Sequence, residues 1–584
     1  MTTKTKQRTR VPVRTLPSHI PTEAASFLNS FSSAIREGDW DAFGKLFAEK
    51  CFWRDHLTLT FDKRTIHTRD DVVAAWKTLS KTRRPSAFSS DKDEDMDMDA
   101  VWARLGPVFA TLDVPFTFRT EAPASKCIGL AKLIPGPDTK GWQICVLTTA
   151  RGNPHAQGLP RLGGNAVLDA IIVGGSCTGI ANAIQLDAAG ANVAVFDAEP
   201  QAGGNWSTKR YENVTLHHPA FMIQLPRFPV PEGYPKYLKG TDLTRYFSSA
   251  VEELGLPFFG GVAVLKNTWS EAEKIWTVQL KDVKTGKEMK LKAKNILLAN
   301  GFLVGNDNPR VPKLKGRELF TGPVQHTAEY RNPTDYKGKR VLIVGVGNSA
   351  HDVAGNLASD PDVKSVTILQ RSPTGDIPVD TADFLQESLP VGMMRDMARG
   401  AIGMAIARAE DRSLALEGLG YAVERDTCLM TKVFEERGSS FYVDQPGTFD
   451  LVFGGRIQIA RGDAVGFVEE GVVVRDRETG NERVVEADGV VLATGYEVVD
   501  LPARWKGSGF VDEETAGKLV NVSAFGVDEE GEVPGLTTFS GHSNLYFAGM
   551  AISQCRTSSR YTAVQVLADI IGQFPERYDR NYLK

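Results

Sequence analysis

The chain has 584 residues, which predicts two to four domains of ~100–200 residues each. Its 68 basic and 72 acidic residues leave a net charge of −4, which indicates neither a nucleic-acid partner nor binding to an anionic membrane. No apolar run approaches the ~18 residues that cross a bilayer, so we expect no membrane span. The six cysteines are scattered without a Cys-x-x-Cys pair, which argues against a disulfide framework, a metal site and a dithiol reductase.

The N-terminal part differs in pattern from the rest of the chain. Residues 1–20 are basic and contain prolines but no apolar secretory core, so we predict a disordered tail on a cytoplasmic protein. Residues 21–155 alternate helical and strand-like segments, which indicates an α+β domain. Asp39 is a predicted N-cap of its second helix. The apolar positions expected on the first two helices are Phe27, Phe31, Ala34, Ile35, Trp40, Phe43, Leu46 and Phe47.

From residue 166 onward the sequence predicts a strand–turn–helix–strand unit that occurs twice. The first strand is expected at residues 168–173 and the second at residues 340–344. Both are short and almost continuously apolar, which is typical of parallel strands buried on both faces of an α/β sheet. Residues 150–164 are rich in Gly, Pro and Asn and are interpreted as the linker that precedes this region.

The first unit contains a turn at residues 174–179 with the sequence GGSCTG, close to the dinucleotide fingerprint G-x-G-x-x-G. In that fingerprint, glycines let backbone N–H groups approach a pyrophosphate at a helix N-terminus. Ser176 replaces the middle glycine but is small enough to keep this approach possible. Asp197 ends the next strand, 23 residues after Gly174, where a carboxylate accepts hydrogen bonds from ribose hydroxyls. The unit therefore predicts a nucleotide with a free ribose diol, such as FAD.

The second unit contains a turn at residues 345–350 with the sequence GVGNSA, which fits G-x-G-x-x-A. Its next strand ends at Arg371, 26 residues after Gly345, where the first unit has an acidic residue. A guanidinium pairs with a 2′-phosphate that a carboxylate would repel, so the second unit predicts NADPH. Either turn alone would also suit a structural turn without a ligand. Two turns with opposite charges at their strand ends favour two nucleotide sites.

A longer motif lies between the two turns. Residues 320–330, FTGPVQHTAEY, fit the signature F-x-G-x-x-x-H-x-x-x-Y/F completely, and on this motif the chain resembles the class B flavin-containing monooxygenases. The Baeyer–Villiger branch usually ends the motif in Trp, where this chain has Tyr330. The resemblance covers about residues 166–584. Further segments that resemble the family are residues 203–206, 216–219, 299–301, 492–496 and 546–549, with Asn300 departing from the usual Thr.

The resemblance implies the arrangement of domains. An FAD-binding domain over residues 166–335 is completed by residues 481–584, and an NADPH-binding domain with a helical insertion occupies residues 336–480. Residues 47–55 and 61–64 resemble the NTF2-like cone fold, as in the type II branch of the family. The predicted fold is thus α/β, with two Rossmann-like domains for FAD and NADPH preceded by an α+β NTF2-like domain. Cone folds often pair, so a homodimer is expected.

The candidate site residues follow from the turns and from the resemblance. FAD is assigned to Gly174, Gly175, Ser176, Cys177, Thr178, Gly179, Asp197, Gly204, Asn205, Trp206, Thr494, Gly495 and Tyr496. NADPH is assigned to Gly345, Gly347, Asn348, Ser349, Ala350, Arg371 and Ser372. The catalytic candidates are His217, His218, Asn348 and His326. His217 or His218 either lies over the flavin or is a core histidine, and both interpretations stay open; His326 is interpreted as a hinge-setting residue.

The implied function is an NADPH- and O₂-dependent monooxygenase that acts on a small organic substrate through a C4a-peroxyflavin. It inserts oxygen at nitrogen or sulfur, or into a ketone by Baeyer–Villiger oxidation. An NADPH oxidase that releases H₂O₂ needs the same motifs and stays open as the alternative. A non-catalytic assembly protein built on the N-terminal domain is a third interpretation. The Met-rich segment 391–420 predicts helical core packing, with a substrate-access lid as the less favoured hypothesis.

Overall fold

The structure of the protein is a computed structural model. It describes residues 20–91, 100–105, 109–136, 141–151, 167–207, 210–301, 308–376, 410–425, 440–442, 447–497, 500–522, 528–549 and 552–577. Three expectations lie outside these residues: the tail up to residue 19, the linker from residue 152, and the Met-rich segment over residues 391–409. The chain divides into two units, Met1–Asn153 with Glu576–Lys584, and Pro154–Pro575.

The N-terminal unit contains helices and one mixed sheet. Its helices are α1 (Ile20–Glu37), α2 (Trp40–Lys45) and α3 (Arg69–Arg83). Its strands are β1 (Phe47–His56), β2 (Lys63–His67), β3 (Ser86–Ser89), β4 (Val101–Leu105), β5 (Phe109–Glu121), β6 (Ala124–Pro135) and β7 (Trp142–Arg151). The sheet order is β2-β1-β7-β6-β5-β3, with β4 beside β5. Only the β1–β7 pair among these is parallel.

The start of α2 follows the prediction and its end does not. Asp39 is the N-cap, and its carboxylate accepts a hydrogen bond from the backbone N–H of Ala42 at 2.8 Å. The predicted apolar face extended through Phe47, but the helix ends at Lys45 and Phe47 begins β1. Pairing of Phe47 with Ile144 of β7 takes this residue into the sheet. Tertiary pairing has overridden the helical spacing of the apolar residues.

The larger unit carries the remaining elements. Its helices are α4 (Cys177–Ala188), α5 (Gly240–Glu253), α6 (Asn348–Ser359), α7 (Glu410–Gly418), α8 (Thr448–Phe453), α9 (Leu501–Ser508), α10 (Glu513–Lys518) and α11 (Cys555–Ile570). Its strands are β8 (Leu168–Val173), β9 (Val193–Asp197), β10 (Thr215–Pro219), β11 (Tyr237–Lys239), β12 (Phe258–Gly260), β13 (Val262–Ser270), β14 (Ile275–Asp282), β15 (Glu288–Leu298), β16 (Val324–His326), β17 (Arg340–Val344), β18 (Ser365–Gln370), β19 (Thr374–Asp376), β20 (Ser440–Tyr442), β21 (Ile457–Arg461), β22 (Asp463–Val468), β23 (Gly471–Arg475), β24 (Glu482–Glu486), β25 (Gly489–Leu492) and β26 (Leu545–Phe547).

Two sheets of this unit carry the predicted turns. The first has the order β12-β9-β8-β15-β14-β13, with β26 beside β15. Its strands β12, β9, β8, β15 and β26 are parallel to one another. The second has the order β16-β25-β17-β18-β21 and is parallel throughout. Strands β8 and β17 have the predicted bounds, which confirms the two α/β folds. Ligands of such sheets bind beyond the carboxyl ends of the strands.

The described residues include no helix that is both long enough and apolar enough to cross a membrane.

Candidate active site

The first Gly-rich turn connects β8 to α4. Gly174 adopts φ +106°, and a Cβ there would lie 2.4 Å from the carbonyl oxygen of Ala299, just after β15. A Cβ on Gly179 would lie 1.8 Å from the carbonyl oxygen of Gly174. Both distances are well inside van der Waals contact, so these two positions require glycine. The turn is therefore packed against its own helix and against the neighbouring strand end, as in dinucleotide-binding turns.

Side chains fix this turn from two directions. The Asp197 carboxylate accepts hydrogen bonds from the backbone N–H of Gly175 at 2.6 Å and of Glu199 at 2.8 Å. The Ser176 hydroxyl donates to the carbonyl of Gly203 at 3.0 Å. Ser176 thus ties the turn to the segment that continues into Gly204–Trp206, a short 3-10 helix. The serine in place of the middle glycine has a structural partner, and Asp197, the last residue of β9, lies at the turn.

The second turn, between β17 and α6, repeats this construction. Gly345 adopts φ +120°, and a Cβ there would lie 2.3 Å from the carbonyl oxygen of Ala493, just after β25. Asn348 is the first residue of α6. Ala350 is buried at the place where the first turn has Gly179. Arg371 follows the end of β18 and is exposed, beside the partly exposed Ser372.

Residues of both turns line a cavity of ≈ 760 Å³. This volume is within the ~300–1,000 Å³ that is typical of ligand sites. The predicted site residues that line it are Gly174, Gly175, Ser176, Cys177, Thr178, Asp197, Gly204, Asn205, Trp206, His217, His218, Gly347, Asn348, Ser349, Ala350, Gly495 and Tyr496. The predicted residues outside its lining are Gly179, His326, Gly345, Arg371, Ser372 and Thr494. Most of the candidate residues therefore line one cavity, although in the sequence they belong to separate strands and turns.

His217 and His218 lie in β10 with their ring centroids 4.7 Å apart. Burial, together with the positive charges of His218 and Arg210, lowers the pKa of His217 to about 3. Burial also lowers the pKa of His218. Both rings are therefore neutral at pH 7. Among the described residues the Nδ1 atom of His218 has no hydrogen-bond partner, which is not the pattern of a satisfied core histidine.

His326 is held by backbone groups on both sides of its ring. Its Nδ1 accepts a hydrogen bond from the N–H of Ala328 at 3.1 Å, and its Nε2 lies 3.1 Å from the carbonyl oxygen of Gly495. The two contacts define a neutral ring with the proton on Nε2. The ring also meets Tyr496 edge-on at 5.4 Å. His326 thus connects the long signature motif to the stretch after β25, a geometry that suits the hinge-setting interpretation.

Sequence reasoning missed a polar clamp between the two sheets. The Arg210 guanidinium donates to the Ser349 hydroxyl at 3.3 Å, and the Tyr211 hydroxyl donates to the Asp352 carboxylate at 2.8 Å. Asn213 donates to the backbone carbonyl of Asp352 at 2.9 Å. The clamp joins the segment before β10 to the first turns of α6. One signal was available: Asp352 lies four residues after Asn348, on the same helix face.

Asp352 gives a first testable prediction. Burial raises its pKa to about 7, although the Tyr211 hydroxyl and Arg210 act in the opposite direction. The folded protein therefore binds this proton more tightly than the unfolded chain, in which the pKa is ~3.9. The contribution of Asp352 to the free energy of unfolding should fall as the pH rises between these two values and level off above about 7. Urea unfolding of the holoenzyme and of Asp352→Asn across this window measures it: the difference between the two proteins should decrease as the pH rises, and a difference that does not change with pH contradicts the assignment.

Sequence reasoning also missed a pair of thiols. Cys177 and Cys555 are far apart in the chain, but their Sγ atoms lie 3.0 Å apart. The hydroxyl of Thr178 lies 3.1 Å from the Sγ of Cys555. The pair was invisible to spacing because it forms between the first residues of α4 and α11. Among the described residues, no group of three or more His, Cys, Asp or Glu side chains is arranged to hold a metal ion.

Comparisons with known proteins agree with this architecture. The sequence profile of the family described as "Flavin-binding monooxygenase-like" matches residues 195–375. The chain is 27% identical over 414 residues to the indole-3-pyruvate monooxygenase YUCCA1 of Oryza sativa subsp. japonica, covering 70% of this chain and 92% of that protein. It is 25% identical over 203 residues to the senecionine N-oxygenase of Tyria jacobaeae, covering 32% and 44%. The polycyclic ketone monooxygenase of the fungus Thermothelomyces thermophila superposes with a TM-score of 0.45 at 19% identity, covering 72% and 79%.

Two dinucleotide-binding α/β folds with a shared cavity define a two-nucleotide oxidoreductase. The profile match includes the long signature motif, and over residues 195–375 the chain is similar to the flavin-binding monooxygenases.

Proposed function

We propose that the protein transfers one oxygen atom of O₂ to a small organic substrate, at a nitrogen or sulfur atom or beside a ketone carbonyl. The observation that carries the proposal is that residues of both turns line the same cavity, together with His217 and His218. The names of the relatives support the class, since one acts on indole-3-pyruvate and another is an N-oxygenase. When bound, FAD would supply the redox chemistry of hydride acceptance from NADPH and reaction with O₂.

We propose that FAD binds at the first turn. Gly174 supports this fit, because its close approach to Ala299 leaves room only for glycine, as in turns that hold a pyrophosphate. The N-terminus of α4 then presents backbone N–H groups to the phosphates. Asp197 is held at the turn by the N–H of Gly175, and a carboxylate there suits the ribose hydroxyls. The segment Gly204–Trp206 and the stretch Thr494–Tyr496 would bound the rest of the cofactor.

NADPH is proposed at the second turn, against Gly345, Gly347 and the first residues of α6. Asn348 and Ser349 line the cavity there, and Ser349 already accepts a hydrogen bond from Arg210. The clamp formed by Arg210, Tyr211 and Asp352 positions this helix end with respect to β10. Arg371 and Ser372 lie after β18, where a 2′-phosphate is expected to extend from the cavity.

Replacing Arg371 by alanine tests the NADPH assignment. A hydrogen bond to a charged group contributes ~1.5–3 kcal/mol, so the KM for NADPH should rise roughly 10- to 100-fold. The KM for NADH should stay unchanged, because NADH lacks the 2′-phosphate. Flavin reduction measured anaerobically with each nucleotide gives both values. Arg483→Ala, which removes an exposed arginine of β24, is the matched control. An equal rise for both nucleotides would reject a role in phosphate recognition.

The two histidines of β10 are proposed to face the reacting atoms. A neutral imidazole donates one hydrogen bond and accepts another, and the Nδ1 of His218, which has no partner among the described residues, suits such a contact. Burial lowers the pKa of both histidines, so both rings stay neutral and neither adds a positive charge to the site. Asn348, a further residue of the lining, has an amide side chain.

Product analysis tests the proposed function. The flavin-loaded protein is supplied with NADPH, isotopically labelled O₂ and a panel of amines, sulfides, ketones and 2-oxo acids. A labelled oxygenated product that accounts for most of the NADPH consumed supports the proposal. NADPH consumption that yields only H₂O₂ across the panel supports the oxidase alternative instead. Protein that stays colourless after incubation with FAD would reject both.

The N-terminal unit is proposed to have the NTF2-like cone fold. Three helices packed with one mainly antiparallel sheet support this assignment. Its core contains several aromatic side chains, with Phe31, Phe43, Trp53 and Trp76 fully buried. Pairing of such units in a homodimer stays a prediction, which light scattering of the purified protein would test.

A further inference from the structure

Two cysteines meet at the wall of the candidate active site. Cys177 is the first residue of α4 and Cys555 the first residue of α11, with exposed fractions of 8% and 2%. Their sulfur atoms are 3.0 Å apart, closer than two thiols that only pack side by side. Both side chains belong to the same core cluster. The remaining described cysteines are in the N-terminal unit.

The environment distinguishes the two thiols. The hydrogen bond with the Cys555 thiol lowers the pKa of Cys177, with further hydrogen bonds from Thr178 in the same direction, although burial opposes them. The same hydrogen bond and burial raise the pKa of Cys555. Cys177 is therefore the thiol that ionises first. It also lines the cavity, so a small oxidant in that space reaches Cys177 before Cys555.

We propose that Cys177 and Cys555 form a peroxide-sensitive dithiol that closes reversibly to a disulfide. The Cys177 thiolate attacks one oxygen of H₂O₂, the O–O bond breaks, and hydroxide leaves and is protonated to water. The Cys555 thiol then attacks the sulfenic sulfur, an S–S bond forms, the S–O bond breaks, and a second water leaves with the Cys555 proton. The two sulfur atoms lose two electrons in total, and the peroxide gains them.

The consequence lies in the first turn. A disulfide would join the start of α4, which belongs to the turn, to the start of α11 across a separation of 378 residues. Such a link removes conformational freedom from the unfolded chain and limits separation of the two helix ends in the folded one. The oxidised protein should therefore melt at a higher temperature and release FAD more slowly than the reduced protein. The added peroxide is the oxidant of the test, so the inference does not depend on the proposed substrate reaction.

The experiment uses the reduced holoenzyme, H₂O₂ and peptide mapping without reduction. The expected product is a peptide pair linked through Cys177 and Cys555, which a dithiol reductant reverses. The Cys51 and Cys145 peptides are internal controls and should stay reduced, because burial raises the pKa of both thiols. Oxidation of these controls at the same rate as the pair, or a pair that stays reduced while methionines oxidise, would overturn the proposal.

Two variants test the order of the steps. In Cys555→Ser the Cys177 sulfenic acid has no thiol to meet, so a dione reagent that traps sulfenic acids should label Cys177. In Cys177→Ser the same reagent should leave Cys555 unlabelled, and no cross-link should form. Labelling of Cys555 would contradict the assignment of Cys177 as the attacking thiol. The wild-type peptide map decides the main claim even if either variant folds poorly, and an unchanged melting temperature on oxidation would reject the proposed effect on the turn.

Discussion

Replacing Gly174 by alanine is expected to yield protein that does not retain FAD. The new Cβ would lie 2.4 Å from the carbonyl oxygen of Ala299, and the residue would have to keep φ +106°. Backbone atoms on both sides of the contact cannot turn away as a side chain could, so the turn or the end of β15 must shift. A shift of about 1 Å would remove several N–H contacts to a pyrophosphate, each contributing ~1.5–3 kcal/mol. FAD affinity should fall by at least about 100-fold.

The flavin absorbance per protein after purification, followed by titration with FAD, measures this loss. Gly233→Ala is the matched control: Gly233 also has a positive φ, +92°, but a Cβ there meets nothing within 4 Å. The control carries the backbone strain without the collision and should retain its flavin. A Gly174→Ala protein as yellow as the control would show that the first turn does not hold the FAD.

The parts of the site that the sequence predicted are local in the chain. Strands β8 and β17 were recognisable because a short apolar run, a Gly-rich turn and a helix follow one another within about 20 residues. Asp197 and Arg371 were likewise recognisable because each lies at the end of the strand that follows its turn and helix. The sequence did not predict that both turns border one cavity, because the rule that places ligands at the carboxyl ends of parallel strands applies to each sheet separately.

The parts that escaped prediction depend on packing between distant segments. The bond between Arg210 and Ser349 crosses between two sheets, and the pair Cys177–Cys555 joins two helix starts that no sequence spacing relates. The prediction of the end of α2 was wrong for a related reason, since Phe47 pairs with β7 and lies in a strand. A local sequence pattern predicts a helix or strand from residues that are close in the chain. These contacts instead form when helices and strands from distant parts of the chain pack together.

The same reasoning separates the two nucleotide sites experimentally. Gly345→Ala would place a Cβ 2.3 Å from the carbonyl oxygen of Ala493, at φ +120°, so the second turn should be displaced as the first is in Gly174→Ala. The protein should still be yellow, because the turn at β8 is untouched. Its anaerobic reduction by NADPH should require at least about 100-fold more nucleotide, since the N–H contacts to the pyrophosphate are lost.

Gly338→Ala is the control for backbone strain in the same sheet region, with φ +71° and open space at its Cβ. It should be reduced by NADPH like the wild type. The pair of variants then gives opposite results: Gly174→Ala loses flavin, whereas Gly345→Ala keeps flavin that NADPH reduces poorly. If Gly345→Ala instead lost its flavin and Gly174→Ala kept it, the assignment of the two turns would have to be exchanged. The two turns have similar backbone geometry, and the assignment of FAD to one and NADPH to the other rests on Asp197 and Arg371 at their strand ends. The pair of variants tests this assignment directly.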